Sequence, residues 1–331
     1  MYAIYDKILE GRFPMLIGFD IGGTKCAVCI GKEENGQMTV LEKRVIPTDL
    51  SVSPYEMIDR MCALAEEMTD DLSVIGISCG GPLNSRTGVI LSPPNLRGWD
   101  EVTIVAYLKD RYHGKVALQN DANACALAEW KWGAGKGTEN MVFLTFGTGM
   151  GAGIIANGQM LDGACGFGGE VGHLRLAENG PVGFGKRGSF EGFCSGGGLA
   201  QIGRTLAMEK IQCGFPTAYC HSYDELMNVT AKSMAEAAYA GDETAIEAYR
   251  LCGEYLGKGL SLLVDILNPE AIVIGSVFAR AEDLLRPSME AVMKKECIPY
   301  SLEVCRVVPA ALGESIGDLA ALAVAAEAEK R

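Results

Sequence analysis

Residues 17–30, IGFDIGGTKCAVCI, carry the clearest signal of the fold. An apolar run that ends at Asp20 leads into the glycine turn IGGTK, and a second apolar run follows, which predicts two strands joined by a tight turn. The same order recurs at residues 141–156, with the run MVFLTF, the turn GTGMG and the run GIIA. We therefore expect two halves of similar build that face one site.

Helices and further strands alternate around these two turns. Apolar spacing and alanine content predict helices at residues 54–69, 101–111, 122–132, 196–212, 223–239, 242–267, 281–295 and 314–328. Short apolar runs predict strands at residues 74–78, 116–118 and 271–274, whereas glycine and proline mark loops at residues 84–98 and 163–198. The chain is therefore predicted to be α/β.

Length and charge limit the classes of function. The chain has 331 residues, of which 48% are hydrophobic and 21% charged; this suggests two folded domains and argues against disorder. The net charge of −13 argues against nucleic acid or an anionic membrane as a general partner, because both repel an acidic surface. An anionic ligand must then be held by a local backbone site.

The twelve cysteines are expected to be reduced thiols of a cytoplasmic protein. The first fifteen residues lack the basic head and apolar core of a secretory signal, and no apolar run reaches the roughly 18 residues of a membrane span. Cys26 and Cys29 have the spacing of a redox pair. Their side chains are expected on opposite faces of a strand, however, which argues against that chemistry.

Both glycine turns are suited to phosphate. A glycine-rich turn presents several backbone N–H groups to one point, where they bind phosphate oxygens. The dinucleotide-binding fingerprint requires a helix at its third glycine, whereas GTGMG runs into a strand. Plain hairpin turns are the alternative, but two turns that each carry a threonine, one of them next to Asp20, favour a polyphosphate site.

Two aspartates near strand ends are candidates for chemistry. Asp20 is well placed to hold Mg²⁺ through water, since Mg²⁺ favours one or two carboxylates together with phosphate oxygens. Lys25 either neutralises phosphate charge or is solvated. Asp121, beside Asn120, follows a short strand and precedes a helix. It is either a general base or the N-cap of that helix.

A third candidate is the loop GACGFGGEVGH, residues 163–173, which holds Glu170 and His173. The spacing does not fit a zincin helix, which needs His-Glu-x-x-His. A carboxylate and an imidazole in a rigid loop suit the recognition of hydroxyl groups, because the first accepts hydrogen bonds and the second does both. A structural histidine is the alternative. Glu191 is a further carboxylate after this loop.

These motifs resemble those of the ROK family (repressors, open reading frames and kinases), whose sugar kinases have the actin-like ATPase (ribonuclease H-like) fold. IGFDIGGTK is similar to the family's first phosphate motif, TFGTGMGAGI to its second, and NDANACALAE to the block with the catalytic aspartate. GACGFGGEVGH is similar to the family signature and SPPNLRGW to a sugar-binding loop. NPEAIVIGSV resembles the strand on the adenine side, with Ser276 where glycine is usual. The resemblance covers nearly the whole chain, from Ile17 to about Ala328.

The motifs and the resemblance together imply a role for each candidate residue. Asp121 is the expected catalytic base. The residues expected on the nucleotide, its phosphates and its metal ion are Asp20, Gly22, Gly23, Thr24, Lys25, Gly147, Thr148, Gly149, Gly151 and Gly275. The residues expected on the sugar are Gly81, Asn95, Asn120, Asp121, Glu170, His173 and Glu191. Loss of Glu170 or Glu191 is expected to weaken sugar binding and to leave ATP affinity nearly unchanged, because both glycine turns lie elsewhere in the chain.

One departure from the family concerns zinc. Family members typically carry a zinc site built from the signature histidine and a downstream C-x-C-G-x-x-G-C-x-E. The corresponding run here is VGFGKRGSFE, in which Val182, Phe184 and Ser189 replace the cysteines while Glu191 remains. A tetrahedral zinc would keep only His173 of its ligands, so we expect no structural zinc.

The resemblance implies ATP-dependent phosphorylation of a hexose or N-acetylhexosamine, most like a glucokinase, with ATP and Mg²⁺. It implies two α/β domains with a cleft between them, residues 1–119 plus 312–331 and residues 120–311, and a homodimer formed through the latter. The alternative is a sugar-responsive regulator or a sugar-binding protein without kinase activity. Regulators of the family carry a DNA-binding helix-turn-helix ahead of the first phosphate motif, and the roughly nineteen residues before Asp20 are too few for one.

Overall fold

The computed structural model of the chain describes residues 14–330. The expectations that the N-terminal segment holds neither a secretory signal nor a helix-turn-helix fall almost entirely outside these residues. The strands are β1 Leu16–Ile21, β2 Lys25–Glu34, β3 Gln37–Pro47, β4 Val74–Cys79, β5 Leu83–Asn84, β6 Val89–Ile90, β7 Lys115–Asn120, β8 Met141–Leu144, β9 Ala152–Ala156, β10 Gln159–Met160, β11 Val182–Gly183, β12 Lys186–Arg187, β13 Ala271–Ile274 and β14 Arg306–Pro309. The helices are α1 Pro54–Met68, α2 Ile104–Tyr112, α3 Asp121–Trp132, α4 Phe190–Phe193, α5 Gly196–Gln212, α6 Ala231–Tyr239, α7 Glu243–Leu267, α8 Val277–Arg280, α9 Glu282–Glu296, α10 Pro299–Val304 and α11 Ile316–Glu329.

Two mixed sheets share one topology. The first has the strand order β3-β2-β1-β4-β7 and the second the order β10-β9-β8-β13-β14. In each sheet the first two pairings of this order are antiparallel and the last two are parallel. Each glycine turn joins the central strand to its antiparallel neighbour. The prediction of an α/β chain with two halves of similar build is therefore confirmed.

The chain divides into two units of dense contacts. The first comprises the described residues up to Gly137, the segment Asp162–Gly168 and the residues from Glu314 onward; the second comprises Thr138–Leu161 and Gly169–Gly313. The sequence-based division placed α3 in the second domain, whereas the structure groups it with the first. The physical reason is that α3 packs against the C-terminal helix α11.

Small residues explain how α11 packs on the first sheet. Strands β1 and β4 are buried almost throughout, as apolar runs covered on both faces require. A methyl group at Gly76 of β4 would lie 2.1 Å from the backbone nitrogen of Ala325 in α11, and one at Gly18 of β1 would lie 2.9 Å from Cβ of Ala321. The alanine-rich helix therefore approaches the sheet at backbone distance, and its alanines are a packing requirement as well as a helix signal.

Most of the cysteines are small core residues, since eight of the twelve are buried. All twelve are free thiols. Cys26 belongs to the cluster that includes Phe19 and α1, whereas Cys29 packs with Leu322 of α11, so the two side chains lie on opposite faces of β2, as predicted. No helix among residues 14–330 is both long and apolar enough to span a bilayer.

Several elements differ from the sequence predictions. The helix predicted at residues 223–239 is a 3₁₀ helix at Tyr223–Asn228 followed by α6, because Thr230 is extended and caps α6 through the backbone N–H of Ser233. The loop predicted at residues 163–198 contains the hairpin β11–β12 and the short helix α4. Strand β3 was not predicted: its residues are largely exposed on both faces, so it carries no apolar alternation.

Candidate active site

The carboxyl edge of the first sheet gathers several predicted site residues. Parallel pairing puts Ile21 of β1 opposite Cys79 of β4, and Cys79 opposite Asn120 of β7. The first glycine turn, the segment that contains Gly81 and the start of α3 therefore all leave the sheet at one edge. This edge is where α/β folds place their ligands, because side chains and free backbone groups from successive strands converge there.

The first glycine turn is held by Thr48, the residue that follows β3. The backbone N–H of Gly22 donates to the carbonyl oxygen of Lys25 at 3.1 Å, and the hydroxyl of Thr48 donates to the carbonyl oxygen of Gly22 at 2.5 Å. Thr24 and Lys25 are exposed. Among residues 14–330, the N–H groups of Gly23 and Thr24 have no protein acceptor, so they remain available to an anion.

Asn95 lies directly against this turn. A methyl group at Gly23 would stand 2.6 Å from the carbonyl oxygen of Asn95, so only glycine fits. The neighbouring Leu96 and Trp99, each 2% exposed, anchor the Asn95 loop in the core. The exposed Asn95 side chain is thus held beside the turn by buried neighbours rather than by its own contacts.

Asp20 stands among other carboxylates. Burial, followed by the charges of Asp318 and Asp121, raises the pKa of the Asp20 carboxyl from 3.8 to about 6. Lys43 counters this effect and pairs with Asp318 of α11 at 2.8 Å. A cation at this position would relieve the repulsion among the carboxylates, and carboxylate oxygen is the donor that Mg²⁺ prefers. The donor chemistry therefore fits the expected metal.

Asp121 is the first residue of α3, and it is not the N-cap. The side chain of Asn120 caps the helix by accepting from the backbone N–H of Asn123 at 2.8 Å, which rules out the N-cap interpretation of Asp121. The carboxylate of Asp121 accepts from the N–H of Ala122 at 2.8 Å and reaches solvent. Desolvation raises its pKa above the usual range. It is thus an accessible carboxylate with an increased affinity for a proton, which a general base requires.

A buried amide network supports the Asn120–Asp121 segment. The side chain of Gln119, 7% exposed, accepts from the N–H of Asn120 at 3.0 Å and from the side chain of Asn123 at 3.2 Å. Its own amide donates to Asp162 at 2.6 Å. The network fixes the start of α3 and connects it to the segment that precedes the signature loop.

The second glycine turn meets a helix N-terminus. The N–H of Gly151 donates to the Thr145 hydroxyl at 2.7 Å, and the N–H of Gly196, the first residue of α5, donates to the carbonyl oxygen of Gly147 at 2.7 Å. Thr148 is exposed, and within the described residues the N–H groups of Thr148 and Gly149 have no protein acceptor. Free turn amides next to the N-terminus of a 17-residue helix are the kind of arrangement that suits an anion.

Gly275 follows β13, whose last residue pairs with Leu144 at the end of β8. Its N–H donates to the carbonyl oxygen of Leu144 at 3.0 Å, which places it beside the second glycine turn. The next residue, Ser276, has φ 56° and ψ −110°, a conformation that glycine adopts freely and serine does not. A cavity of about 370 Å³ lies next to this segment. Its lining residues are Ala231, Lys232, Ala235, Tyr249, Val277, Arg280 and Ala281.

The signature loop packs on the second turn. Val171–His173 forms a 3₁₀ helix, and a methyl group at Gly172 would lie 2.4 Å from the carbonyl oxygen of Met150 in the turn. Glu191 of α4 also reaches the turn, where its carboxylate accepts from the N–H of Met150 at 2.9 Å. The expectation that loss of Glu191 leaves ATP affinity nearly unchanged rested on separation along the chain. That premise is wrong for Glu191, which touches the turn.

The segment expected to lack zinc has no thiolates near His173. Val182 and Phe184 are exposed side chains of the β11–β12 hairpin, and Ser189 is the N-cap of α4. In the part of the chain that the structure describes, no cluster of three or more His, Cys, Asp or Glu side chains has the arrangement of a metal site. The residues present do not fit a tetrahedral zinc.

Sequence reasoning missed the residues that support the site. Thr48, Lys43 and Asp318 lie far along the chain from Asp20, and only the fold brings them together. The start of α5 carried a local signal, since the run SGGGL at residues 195–199 combines a serine cap with glycines that permit close approach. A methyl group at Gly198 would stand 2.0 Å from the carbonyl oxygen of Gly192.

Comparison with known proteins identifies the family. The model of the ROK family matches residues 16–328. A glucokinase of Halalkalibacterium halodurans is 31% identical over 91% of this chain and 92% of its own length. A xylose repressor of Caldicellulosiruptor bescii is 29% identical over 82% of this chain and 70% of its own.

A solved structure confirms the fold. The ROK family glucokinase of Streptomyces griseus, solved in complex with glucose and AMPPNP, matches 96% of this chain and 100% of its own with a TM-score of 0.71 and 27% identity. The predicted actin-like ATPase fold is therefore confirmed. The chain belongs to the ROK family.

Proposed function

We propose that this protein is a sugar kinase that transfers the γ-phosphoryl group of ATP to a hydroxyl group of a hexose or N-acetylhexosamine, most like a glucokinase. The observation that carries the proposal is Asp121, an accessible carboxylate of raised pKa at the same sheet edge as the first glycine turn. A glycine-turn anion site suits the donor, and a neighbouring base suits a hydroxyl acceptor. The 31% identity with a glucokinase supports the same function.

In this proposal the two glycine turns hold the phosphates of ATP. The free N–H groups of Gly23, Thr24, Thr148 and Gly149 donate to phosphate oxygens. The N-terminus of α5 adds its positive end to the second turn. Such local donors are needed because the chain as a whole, with net charge −13, repels a polyanion. The other turn residues assigned from the sequence, Gly22, Lys25, Gly147 and Gly151, shape or neutralise these two sites.

Asp20 is the proposed residue for Mg²⁺, held through water. The ion supplies charge neutralisation of the phosphates when bound, which is the main requirement of phosphoryl transfer. Asp20 itself orients that hydrated cation, and the pair Lys43–Asp318 fixes the charge around it. This role accounts for the cost of keeping the Asp20 carboxylate within reach of the charges of Asp318 and Asp121.

Asp121 acts as the general base. It takes the proton of the attacking hydroxyl group while its other interaction, with the N–H of Ala122, keeps the carboxylate oriented. Asn120 retains its side-chain NH₂ group for the sugar, since its oxygen is used in capping. Asn95 presents its exposed amide from the loop beside Gly23, and Gly81 leaves open space next to the sheet edge.

The remaining sugar hydroxyls form hydrogen bonds with Glu170, His173 and Glu191. Glu170 is exposed and His173 half-buried, and in the described residues no protein group hydrogen-bonds to their side chains. Unpaired polar groups on a rigid loop are suited to a polyhydroxyl ligand. On the nucleotide side, we assign the adenine to the 370 Å³ cavity that follows Gly275, because its lining is mainly apolar.

The test is phosphorylation of a panel of sugars. Purified protein is mixed with Mg²⁺, ATP and glucose, mannose, N-acetylglucosamine or N-acetylmannosamine, and ADP release is followed by a coupled assay. We expect one sugar to give turnover well above the rate without sugar, and Asp121→Asn to lower that turnover by a factor of about a hundred or more. ADP release that no sugar stimulates would overturn the proposal.

The similarity to a xylose repressor supports one alternative, a sugar-responsive regulator. A regulator of this kind binds sugar without turning over ATP, so the same panel separates the two functions. We also propose a cytoplasmic homodimer. Exposed apolar side chains on α7 and α10, including Ile266, Tyr300 and Val304, support association. Sedimentation at several concentrations tests the dimer.

A further inference from the structure

Residues 182–191, which follow the signature loop, are held together without a metal ion. Val182 and Phe184 offer no ligand atoms, and Ser189 offers only a hydroxyl group, which is already used. The Ser189 hydroxyl donates to the carbonyl oxygen of Lys186 at 3.1 Å and accepts from the N–H of Gly192 at 3.0 Å. It thereby caps α4, the helix that carries Glu191. Polar and apolar contacts therefore take the place of thiolate ligands.

Lys186 makes the central contact. Its ammonium group donates to the carbonyl oxygen of His173, 13 positions earlier in the chain, at 2.6 Å. A hydrogen bond from a charged donor is about twice as strong as one between neutral groups. Lys186 is half-buried in β12, and the hairpin pairing of Gly183 with Lys186 fixes its backbone. The lysine thus ties the end of the signature loop to a rigid hairpin.

Phe184 supports the imidazole itself. Its ring meets the ring of His173 edge-on, with centroids 5.3 Å apart and planes at 85°. This geometry is favourable between aromatic rings. Phe184 is 77% exposed and has φ 43°, so neither burial nor backbone preference explains a phenylalanine at the tip of the hairpin. The contact with His173 does explain it.

Backbone contacts complete the closure around Gly188. Its carbonyl oxygen accepts from the N–H groups of Leu176 and Ala177, and its own N–H donates to Pro181. A methyl group at Gly188 would lie 2.1 Å from the carbonyl oxygen of Ala177. The segments around these two residues therefore approach each other at a distance that only glycine permits. Backbone hydrogen bonds at Gly188 and the side chains of Lys186 and Phe184 therefore hold the loop in place.

We propose that Lys186 and Phe184 are positioning residues that replace a structural zinc, and that they hold His173 for the sugar. The proposal rests on the proposed function. Lys186 fixes the backbone at His173, and Phe184 fixes the orientation of its ring. Within the described residues, the hydrogen bond of the Lys186 side chain and the ring contact of Phe184 are with His173 and not with the second glycine turn, so both should act on sugar recognition and not on ATP.

Kinetics of paired variants test this role. Lys186→Met should raise the KM for the sugar about tenfold, equivalent to about 1.4 kcal/mol, while kcat and the KM for ATP stay within about twofold. Lys186→Arg keeps a charged donor and should restore most of the sugar KM. Lys295→Met, at an exposed lysine of α9, is the matched control. An unchanged sugar KM in Lys186→Met, or no rescue by arginine, would overturn the proposal.

Two further measurements do not depend on catalysis. Hydrogen exchange of the peptide that covers residues 170–191 should be faster in Lys186→Met than in the wild type, and elemental analysis of the wild type should find well under one zinc per chain. Equal exchange, or stoichiometric zinc, would contradict the proposal. If Lys186→Met does not fold, Phe184→Ala, which removes an exposed ring, must give the same increase in sugar KM. If the wild type phosphorylates no sugar, the proposed function fails. Hydrogen exchange and zinc content still decide whether Lys186 and Phe184 hold this loop in place of zinc.

Discussion

The carboxylate of Glu191 accepts a hydrogen bond from the backbone N–H of Met150 at 2.9 Å, which joins α4 to the second glycine turn. Gly149 lies so close that a methyl group there would stand 2.8 Å from the same carboxylate oxygen. No hydrogen bond within the described residues uses the other oxygen of Glu191, Oε1, so that oxygen is available to the proposed sugar. One side chain is therefore placed to contact the proposed acceptor and to shape the proposed phosphate site.

Glu170 and Glu191 should consequently behave differently. Glu170→Gln and Glu191→Gln are each expected to raise the sugar KM by roughly ten- to a hundredfold, because each removes a charged acceptor. Only Glu191→Gln should also raise the KM for ATP, by about threefold or more, since it weakens the bond that orders the turn. Steady-state kinetics with each substrate varied in turn measure both constants. Equal ATP constants in the two variants would show that the Met150 contact is not functional.

Asp121→Asn tests the general base. The asparagine oxygen can still accept from the N–H of Ala122, so α3 and substrate binding should be preserved. Turnover should fall by a factor of about a hundred or more, because the amide cannot take the proton of the sugar hydroxyl. Asp110→Asn, at an exposed position on α2, is the control. Wild-type turnover in Asp121→Asn would remove Asp121 from the mechanism.

The fold was predictable where the sequence repeats a local pattern. The two glycine turns, each between apolar runs, indicated two similar halves, and the sheets do share one strand order. Alternation along β2 was enough to place Cys26 and Cys29 on opposite faces. These features depend on neighbours in the sequence, for which propensity and periodicity are informative.

The remainder depends on contacts that no local pattern contains. Strand β3 is largely exposed on both faces, and its position at the sheet edge comes from pairing with β2. The charge around Asp20 comes from Asp318, nearly three hundred residues away, and the Glu191–Met150 contact spans 41 residues. Asn120 is the N-cap of α3 because its side chain, and not that of Asp121, accepts from the N–H of Asn123. Tertiary geometry decided each of these.

Asp20 should make the protein less stable at neutral pH than its amide variant. Its folded-state pKa of about 6 lies above the ordinary 3.8, so its favourable contribution is complete below pH 3.8 and is lost as the pH rises through 6. The shift corresponds to about 3 kcal/mol at most, at about 1.36 kcal/mol per pKa unit. Asp20→Asn without Mg²⁺ should therefore raise the free energy of unfolding at pH 8 by about 1–3 kcal/mol, and by less at pH 5.5.

Urea denaturation at the two pH values measures this change, and kinase activity of Asp20→Asn should be lost at the same time. Mg²⁺ should stabilise the wild type more than the variant, because a cation favours the ionised carboxylate. Equal stability of wild type and variant at pH 8 would show that Asp20 is not under electrostatic strain.

The decrease in activity at low pH should report the ionisation of Asp121. Asp121 must be ionised to accept a proton, and its pKa is raised by desolvation. Activity should therefore fall with decreasing pH at a value above the ordinary aspartate pKa of about 3.9. The pH dependence of kcat at saturating sugar, ATP and Mg²⁺ measures it. A decrease at or below pH 4 would contradict the assignment of this carboxyl as the base.

Ser276 is expected to limit stability. Its φ of 56° and ψ of −110° place a side chain where glycine is normally required, at a cost of about 1–3 kcal/mol. Ser276→Gly should remove that strain, and after the extra chain entropy of glycine in the unfolded state it should raise the free energy of unfolding by about 1 kcal/mol. Ser276→Ala keeps Cβ, and with it the strain, so its stability should stay near that of the wild type. Urea denaturation of the three proteins separates the backbone effect from loss of the hydroxyl group: a gain in both variants would assign the cost to the hydroxyl, and a gain in neither would show that the surrounding β13–α8 turn accommodates serine without strain.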